Sequence, residues 1–219
     1  MKAHSKNSLQ LSRLGKEALL ARKAYNIFSD EYEELYKDDV KLVTGMLDQF
    51  LQPIKPFGKI LDVGCGSGHY VKYYLEKGFD AYGLDISEEM LTLSRLIVPA
   101  NRLFHLDMHN MNFPYYEFDG ISCVTSLLYT TKDKCKKILR NINSFLNDNG
   151  RLFLVMLDGE KQGFELENHK TKSAKTYVSY YSLEELIAIL NESNFSIEES
   201  FSKRILLSTG MEHYLIATK

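Results

Sequence analysis

The apolar residues change their pattern near residue 59. From Tyr25 to Phe50 they fall at helical intervals (Leu35, Val43, Met46, Leu47, Phe50) among acidic neighbours, and Pro53 and Pro56 then break the run. Beyond Lys59, short apolar runs alternate with amphipathic ones. KILDVG, DAYGLD, RLFHLD, FDGISCV and RLFLVML read as strands, and the last is continuous enough to be covered on both faces of a sheet. Between them lie helical patterns. One carries Val71, Tyr74 and Leu75 and ends at Gly78. A second opens with Ser87 as N-cap followed by Glu88 and Glu89. A third carries Cys135, Ile138, Leu139, Ile142, Phe145 and Leu146, with Gly150 expected to end it. Ser182 and Glu185 form a capping box before Leu186, Ile187 and Leu190. FSIEESF and HYLIAT close the chain as two strands with no helix between them.

This alternation predicts an α/β fold: a Rossmann-like, doubly wound, seven-stranded and mostly parallel sheet with an antiparallel last strand and an N-terminal helical lid. The expected organisation is a basic tail or helix over residues 1–24, then one domain over 25–219, with the lid at 25–52 and the core at 58–219. The first 24 residues carry six basic side chains against Glu17 alone, whereas 25–50 carry seven acids against Lys37 and Lys41. The tail reads as a solvated segment, and its removal is expected to leave cofactor affinity intact.

At 219 residues the chain can bury a sizeable core, and 44% hydrophobic composition argues against general disorder. A net charge of −2 lacks the basic footprint of a dedicated nucleic-acid-binding domain. The longest apolar run, Leu152 to Leu157, is too short to span a bilayer, so no membrane partner is expected. Cys65, Cys123 and Cys135 are odd in number and scattered, which fits neither a disulfide scaffold nor a zinc site; no metal and a cytoplasmic setting are the expectations.

The chemistry concentrates in LDVGCGSGHY, where the first strand passes into a helix. Asp62, Gly64, Gly66 and Gly68 make a D-x-G-x-G-x-G pattern. Glycines there allow a tight turn and close approach of a ligand to the main chain, and the crevice beyond the ends of parallel strands is where ligands bind. A dinucleotide fingerprint fails: counted from Gly64, its last position is His69. Asp62 suits a cation better than a pyrophosphate. Asp85 and Asp107 end the next two strands at steps of 23 and 22 residues, each one strand-helix-strand unit. A carboxylate at Asp85 suits ribose hydroxyls, and one at Asp107 suits an exocyclic amine, with the Met108 backbone beside a ring nitrogen.

These stretches resemble the class I S-adenosylmethionine-dependent methyltransferases, over Tyr25 to Lys219. LDVGCGSG, GLDISEEML, HLDMHNMNF and FDGISCVTSLLY are similar to four successive motifs of that family, and LNDNGRLFLVM to the stretch before its fifth strand, with Asn149 where glycine is usual. The resemblance implies S-adenosyl-L-methionine as cofactor. It places Asp62 and Gly64, with Cys65, Gly66 and Gly68 of the same loop, near the methionine moiety. It places Asp85 and Ile86 on the ribose with Met90 packed nearby, Asp107 and Met108 on the adenine, and Val124 and Thr125 along the site. YNIFSDEY is similar to the lid helix of small-molecule members, with Tyr25 and Tyr32 at its aromatic positions. Tyr129 stands where histidine is frequent. Tyr129, Glu160 and His169 are the candidate bases.

The leading expectation is methyl transfer to a small-molecule acceptor by in-line displacement, in a pocket between the N-terminal helix, residues 158–181 and residues 204–213. Arg204 is a candidate anion anchor, and Tyr177, Tyr180 and Tyr181 are either strand packing or pocket wall. The alternative is an RNA- or tRNA-modifying methyltransferase, supported by the basic tail and by Lys132, Lys134, Lys136 and Lys137, and opposed by the presence of seven arginines only. A third reading is a protein that binds the cofactor without transferring methyl.

Overall fold

The computed structural model describes residues 14–36, 39–111, 117–204 and 210–219. Two helices come first, α1 (Lys16–Tyr36) and α2 (Asp39–Leu51). The core follows as β1 (Lys59–Val63), α3 (His69–Glu76), β2 (Asp80–Asp85), α4 (Glu88–Ser94), β3 (Leu103–His105), β4 (Phe118–Val124), α5 (Lys132–Phe145) and β5 (Leu146–Leu157). A hairpin, β6 (Gln162–Asn168) and β7 (Ser173–Ser179), precedes α6 (Leu183–Glu192), β8 (Ser196–Arg204) and β9 (Met211–Thr218).

The main sheet has seven strands in the order β3-β2-β1-β4-β5-β9-β8. The first five run parallel, and β9 is antiparallel to both β5 and β8. The expected Rossmann-like architecture is therefore the observed one. Strand alternation divides two cores between the faces. Leu152, Leu154 and Met156 of β5 meet α5 and α6 through Cys135, Ile138, Leu186 and Leu190. Phe153 and Val155 meet α2 and α3 through Leu47, Phe50, Val71 and Tyr74. A strand buried on both faces has no polar position to spare, which is why RLFLVML reads as continuous. The three cysteines are buried and free.

Four local expectations change. The helical N-terminal stretch is two helices, and α1 continues unbroken across residues 24 and 25. The earlier basic residues Lys2, Lys6 and Arg13 lie outside the described residues. Gly150 does not end α5: the helix stops at Phe145, Leu146 pairs with Phe118 of β4, and the left-handed residue of the following turn is Asn149, with φ of 63°. Asparagine tolerates that conformation, so glycine is not required there. The β6–β7 hairpin, absent from the expected strands, forms a two-stranded sheet of its own.

The capping box stands as expected. The Ser182 hydroxyl accepts from the Glu185 amide, and the Glu185 carboxylate accepts from the Ser182 amide. Ser182→Ala is expected to lower stability by about 1 kcal/mol in urea denaturation, and Ser182→Gly by only a few tenths.

Candidate functional site

The site lies over the C-terminal ends of the parallel strands. After β1 the amides of Gly64 and Cys65 both donate to the Leu84 carbonyl, at 2.8 and 2.9 Å. Gly64 has φ of 76°, and a Cβ there would stand 2.4 Å from Ser126 Cβ. Gly68 caps α3 with φ of 87°, and its Cβ would meet Ser94 Oγ at 2.1 Å. Any side chain at either position would be strained in backbone and blocked in space. Gly66 sits under Tyr32 and Met90: a Cβ there would come within 3.2 Å of Met90 Cε and 3.8 Å of Tyr32 Cε1.

Three buried carboxylates line up behind this turn. Asp62 accepts from Ser122 Oγ at 2.7 Å. Burial, with Asp85 nearby, pushes its carboxyl up to about 7 against the pull of Ser122. Asp85 joins two loops, accepting from the Gly66 amide at 2.9 Å and the Ser87 amide at 2.8 Å. Burial raises its pKa, and those amides oppose the rise. Asp107 caps the short turn 108–110, accepting from the His109 amide at 3.0 Å and lying 2.7 Å from His109 Nδ1.

Two cavities adjoin here. The smaller, about 70 Å³, is lined by Asp85, Ile86, Asp107 and Met108, with Ala18 and Ala21 of α1 closing it. The larger, about 440 Å³, is lined by Asp62, Cys65, His69 and Tyr70 on one side. On the other it meets Glu165, Glu167, Thr176, Val178 and Tyr180 of the hairpin region, and Lys203 and Arg204 of β8. Tyr25, Tyr32, Gly64, Gly66, Val124, Thr125 and Tyr129 line both. At that neck the Tyr25 and Tyr129 hydroxyls are hydrogen-bonded at 2.5 Å. Burial holds the Tyr25 phenol well above its ordinary pKa, so it stays neutral. The helix is tied down from below as well, because Ser87 Oγ donates to Asn26 Oδ1 at 2.7 Å.

Of the expected residues, Met90 and Gly68 support the loop from behind without lining either cavity. Burial raises the Cys65 thiol far above its ordinary range, which leaves it inert as a nucleophile. Tyr129 stands at the neck. Glu160 does not join the site: it is exposed in the turn between β5 and β6, lines neither cavity, and its carbonyl accepts from Lys132 Nζ at 3.4 Å. His169 is also outside the lining. Its ring stacks on Phe28 with centroids 4.0 Å apart, and its Nε2 lies 3.3 Å from Glu167 Oε1, so it buttresses a lining residue from behind. His213 is buried between Ser202 and Asp158 and faces no cavity. Tyr180 is pocket wall and Tyr181 is core. Among the lining residues that sequence reasoning left unnamed are Glu165, Glu167 and Thr176.

A family model described as a methyltransferase domain matches residues 35–200. The chain belongs to this methyltransferase-domain family. The resemblance to class I S-adenosylmethionine-dependent methyltransferases, drawn from LDVGCGSG and its successors, is thereby borne out. Among curated members, an uncharacterized methyltransferase of Alkaliphilus oremlandii is 26% identical over 162 residues, which span 73% of this chain and 71% of that one. The malonyl-[acyl-carrier protein] O-methyltransferase of Pectobacterium atrosepticum is 28% identical over 110 residues, or 50% of this chain, and the match spans only 43% of that relative. Among solved structures, the magnesium protoporphyrin IX methyltransferase of Synechocystis PCC 6803 with bound SAM superposes with a TM-score of 0.73 at 16% identity, covering 94% of this chain and 99% of that one. This last likeness is one of fold.

The Asp62 carboxyl gives the methyltransferase domain a pH signature. An unfolded aspartate ionises near 3.8 and this one near 7, so the folded state holds the extra proton between those values. The contribution of this group to stability is therefore greatest below pH 4 and is lost as pH rises to about 7, with a slope of at most about 1.4 kcal/mol per unit. Asp62→Asn is expected to flatten that fall in denaturation curves recorded from pH 4 to 7.5.

Proposed function

We propose that this protein transfers a methyl group from S-adenosylmethionine to a small-molecule acceptor by in-line displacement. One observation carries the reading. A compartment bearing two strand-end carboxylates, Asp85 and Asp107, opens through a shared neck into a cavity of about 440 Å³ walled by the chain's own elements. That volume is of the size that small ligands occupy.

The residues fit the cofactor. Asp85 would hold the ribose hydroxyls, Asp107 and the Met108 backbone the adenine, and the buried Asp62 with the Gly64–Gly68 turn the cationic methionine end. Tyr25 and Tyr32 cover it from α1. S-adenosylmethionine supplies an electrophilic methyl group on a sulfonium, so the protein's task is orientation and exclusion of water, for which about 7–11 kcal/mol is the upper range. Tyr129, at the neck and hydrogen-bonded to Tyr25, is placed to orient the acceptor atom.

The alternative acceptor, RNA, keeps the basic tail, of which Lys2, Lys6 and Arg13 lie outside the described residues, but its lysine cluster is weakened as support. Lys132, Lys134 and Lys136 are paired with Glu185, Glu17 and Glu192, so the lysine cluster offers little charge to a phosphate backbone. Relatives whose names specify acceptors include the malonyl-carrier O-methyltransferase and a dTDP-amino-sugar N,N-dimethyltransferase of Streptomyces venezuelae. Both small-molecule and carrier-borne acceptors therefore occur among them.

Isothermal titration tests the reading. S-adenosylmethionine and S-adenosylhomocysteine are expected to bind and NADH is not; binding of NADH alone overturns it. Asp85→Ala is expected to weaken binding by about 2–4 kcal/mol, roughly 30- to 1000-fold. Asp85→Asn removes the charge and leaves one acceptor oxygen for the two amides of Gly66 and Ser87. Unchanged affinity in folded variants removes the ribose role. Deletion of residues 1–24 is expected to weaken binding by about tenfold or more, contrary to the reading of that segment as a dispensable tail. Ala18 and Ala21 form part of the cofactor compartment, and Glu17 is anchored by Lys134.

A further inference from the structure

The β6–β7 hairpin is patterned inside out. In β6, Phe164 and Leu166 point to solvent, 43% and 64% exposed, while the alternate residues Glu165 and Glu167 point into the larger cavity. A two-stranded sheet gains nothing in stability from turning its carboxylates inward and its apolar side chains outward. The inward face is therefore read for what it presents.

It presents acceptors of hydrogen bonds. Glu165 Oε2 accepts from Tyr180 OH at 2.9 Å. Glu167 Oε1 accepts from Tyr129 OH at 3.5 Å and lies 3.3 Å from His169 Nε2. Its second oxygen, Glu167 Oε2, is buried and meets no partner among the described residues. Thr176, paired across the ladder with Glu165, is fully buried and lines the same cavity, and its hydroxyl is likewise without a partner there. A buried carboxylate oxygen and a buried hydroxyl left unsatisfied in one wall are each unfavourable to folding. A ligand with several N–H donors and positive charge would satisfy both. An anionic acceptor would meet two carboxylates with no cation on the hairpin wall, because the cations of the lining, Lys203 and Arg204, belong to β8.

We infer that the acceptor of this enzyme is an amine, held by Glu165, Glu167 and Thr176 with its nitrogen directed to the neck at Tyr129. The inference rests on the function proposed above and adds the substrate class. Tyr129 touches both Glu167 and Tyr25, so a group held on Glu167 stands beside the opening to the cofactor compartment. An amine arrives protonated at neutral pH and must lose one proton before its lone pair is nucleophilic. The Glu167 carboxylate, beside Tyr129, would take that proton from the ammonium nitrogen, leaving a neutral amine and a neutral carboxylic acid.

The test compares three ligands of one shape, benzylamine, benzyl alcohol and benzoate, titrated by NMR into the full chain with and without S-adenosylhomocysteine. Benzylamine is expected to bind about tenfold or more tightly than either analogue. Glu167→Gln and, separately, Thr176→Val are expected to reduce that preference at least threefold, whereas Glu160→Gln, on the exposed turn, leaves it unchanged. Equal binding of the three, preference for benzoate, binding of none, or a preference that survives Glu167→Gln overturns the amine site. If S-adenosylhomocysteine binds in those same samples, the methyltransferase reading stands and only the acceptor class falls. If it does not, both fall.

Discussion

Two loops of different strands must be held together before any ligand can lie across the ends of this sheet, and a single buried carboxylate does it. Asp85 takes the amide of Gly66 on one oxygen and that of Ser87 on the other. It thereby joins the turn after β1 to the turn after β2. Burying a carboxylate is unfavourable unless its oxygens are hydrogen-bonded, and the two amides meet that need. The same contacts leave Ser87 free to cap α4 through the Met90 amide and to reach Asn26 on α1. The helix that covers the site is thus positioned by the residue that forms its floor.

Much of this was legible in sequence because parallel sheets place function at fixed points. A carboxylate at each strand end, one strand-helix-strand step apart, needs no structure to be seen, and neither does a glycine run where a strand becomes a helix. The capping box at Ser182 was legible for the same reason, since a local hydrogen bond between near neighbours leaves a local signature. The hairpin was not. QGFELEN shows strand alternation, but its apolar residues face water and its acids face a cavity, so the usual rule for assigning an inward face points the wrong way. Glu165, Glu167 and Thr176 went unnamed on that account. Glu160 was singled out by proximity in sequence to the same segment, and a turn carried it outside. His169 was placed in the right region, but packing against Phe28 turned it into a support.

Charge along the chain was equally deceptive at short range. A cluster of lysines on α5 reads as a basic surface, yet three of them find carboxylates on α1 and α6. Exposed pairs of this kind contribute little to stability, with a typical value of about 0–1 kcal/mol. Their effect is on the surface potential, which they neutralise.

Helix α1 has a consequence for the order of events. Its inner side walls the smaller cavity through Ala18, Ala21 and Tyr25, and its outer side is pinned to the hairpin by Asp30 with Lys172 and by Glu31 with Thr171. One rigid element therefore touches both compartments. A displacement of the helix that opened the smaller cavity would also loosen the wall that carries Glu165 and Glu167. Ligands of the two cavities would on that account be linked, each altering the affinity of the other by the same factor.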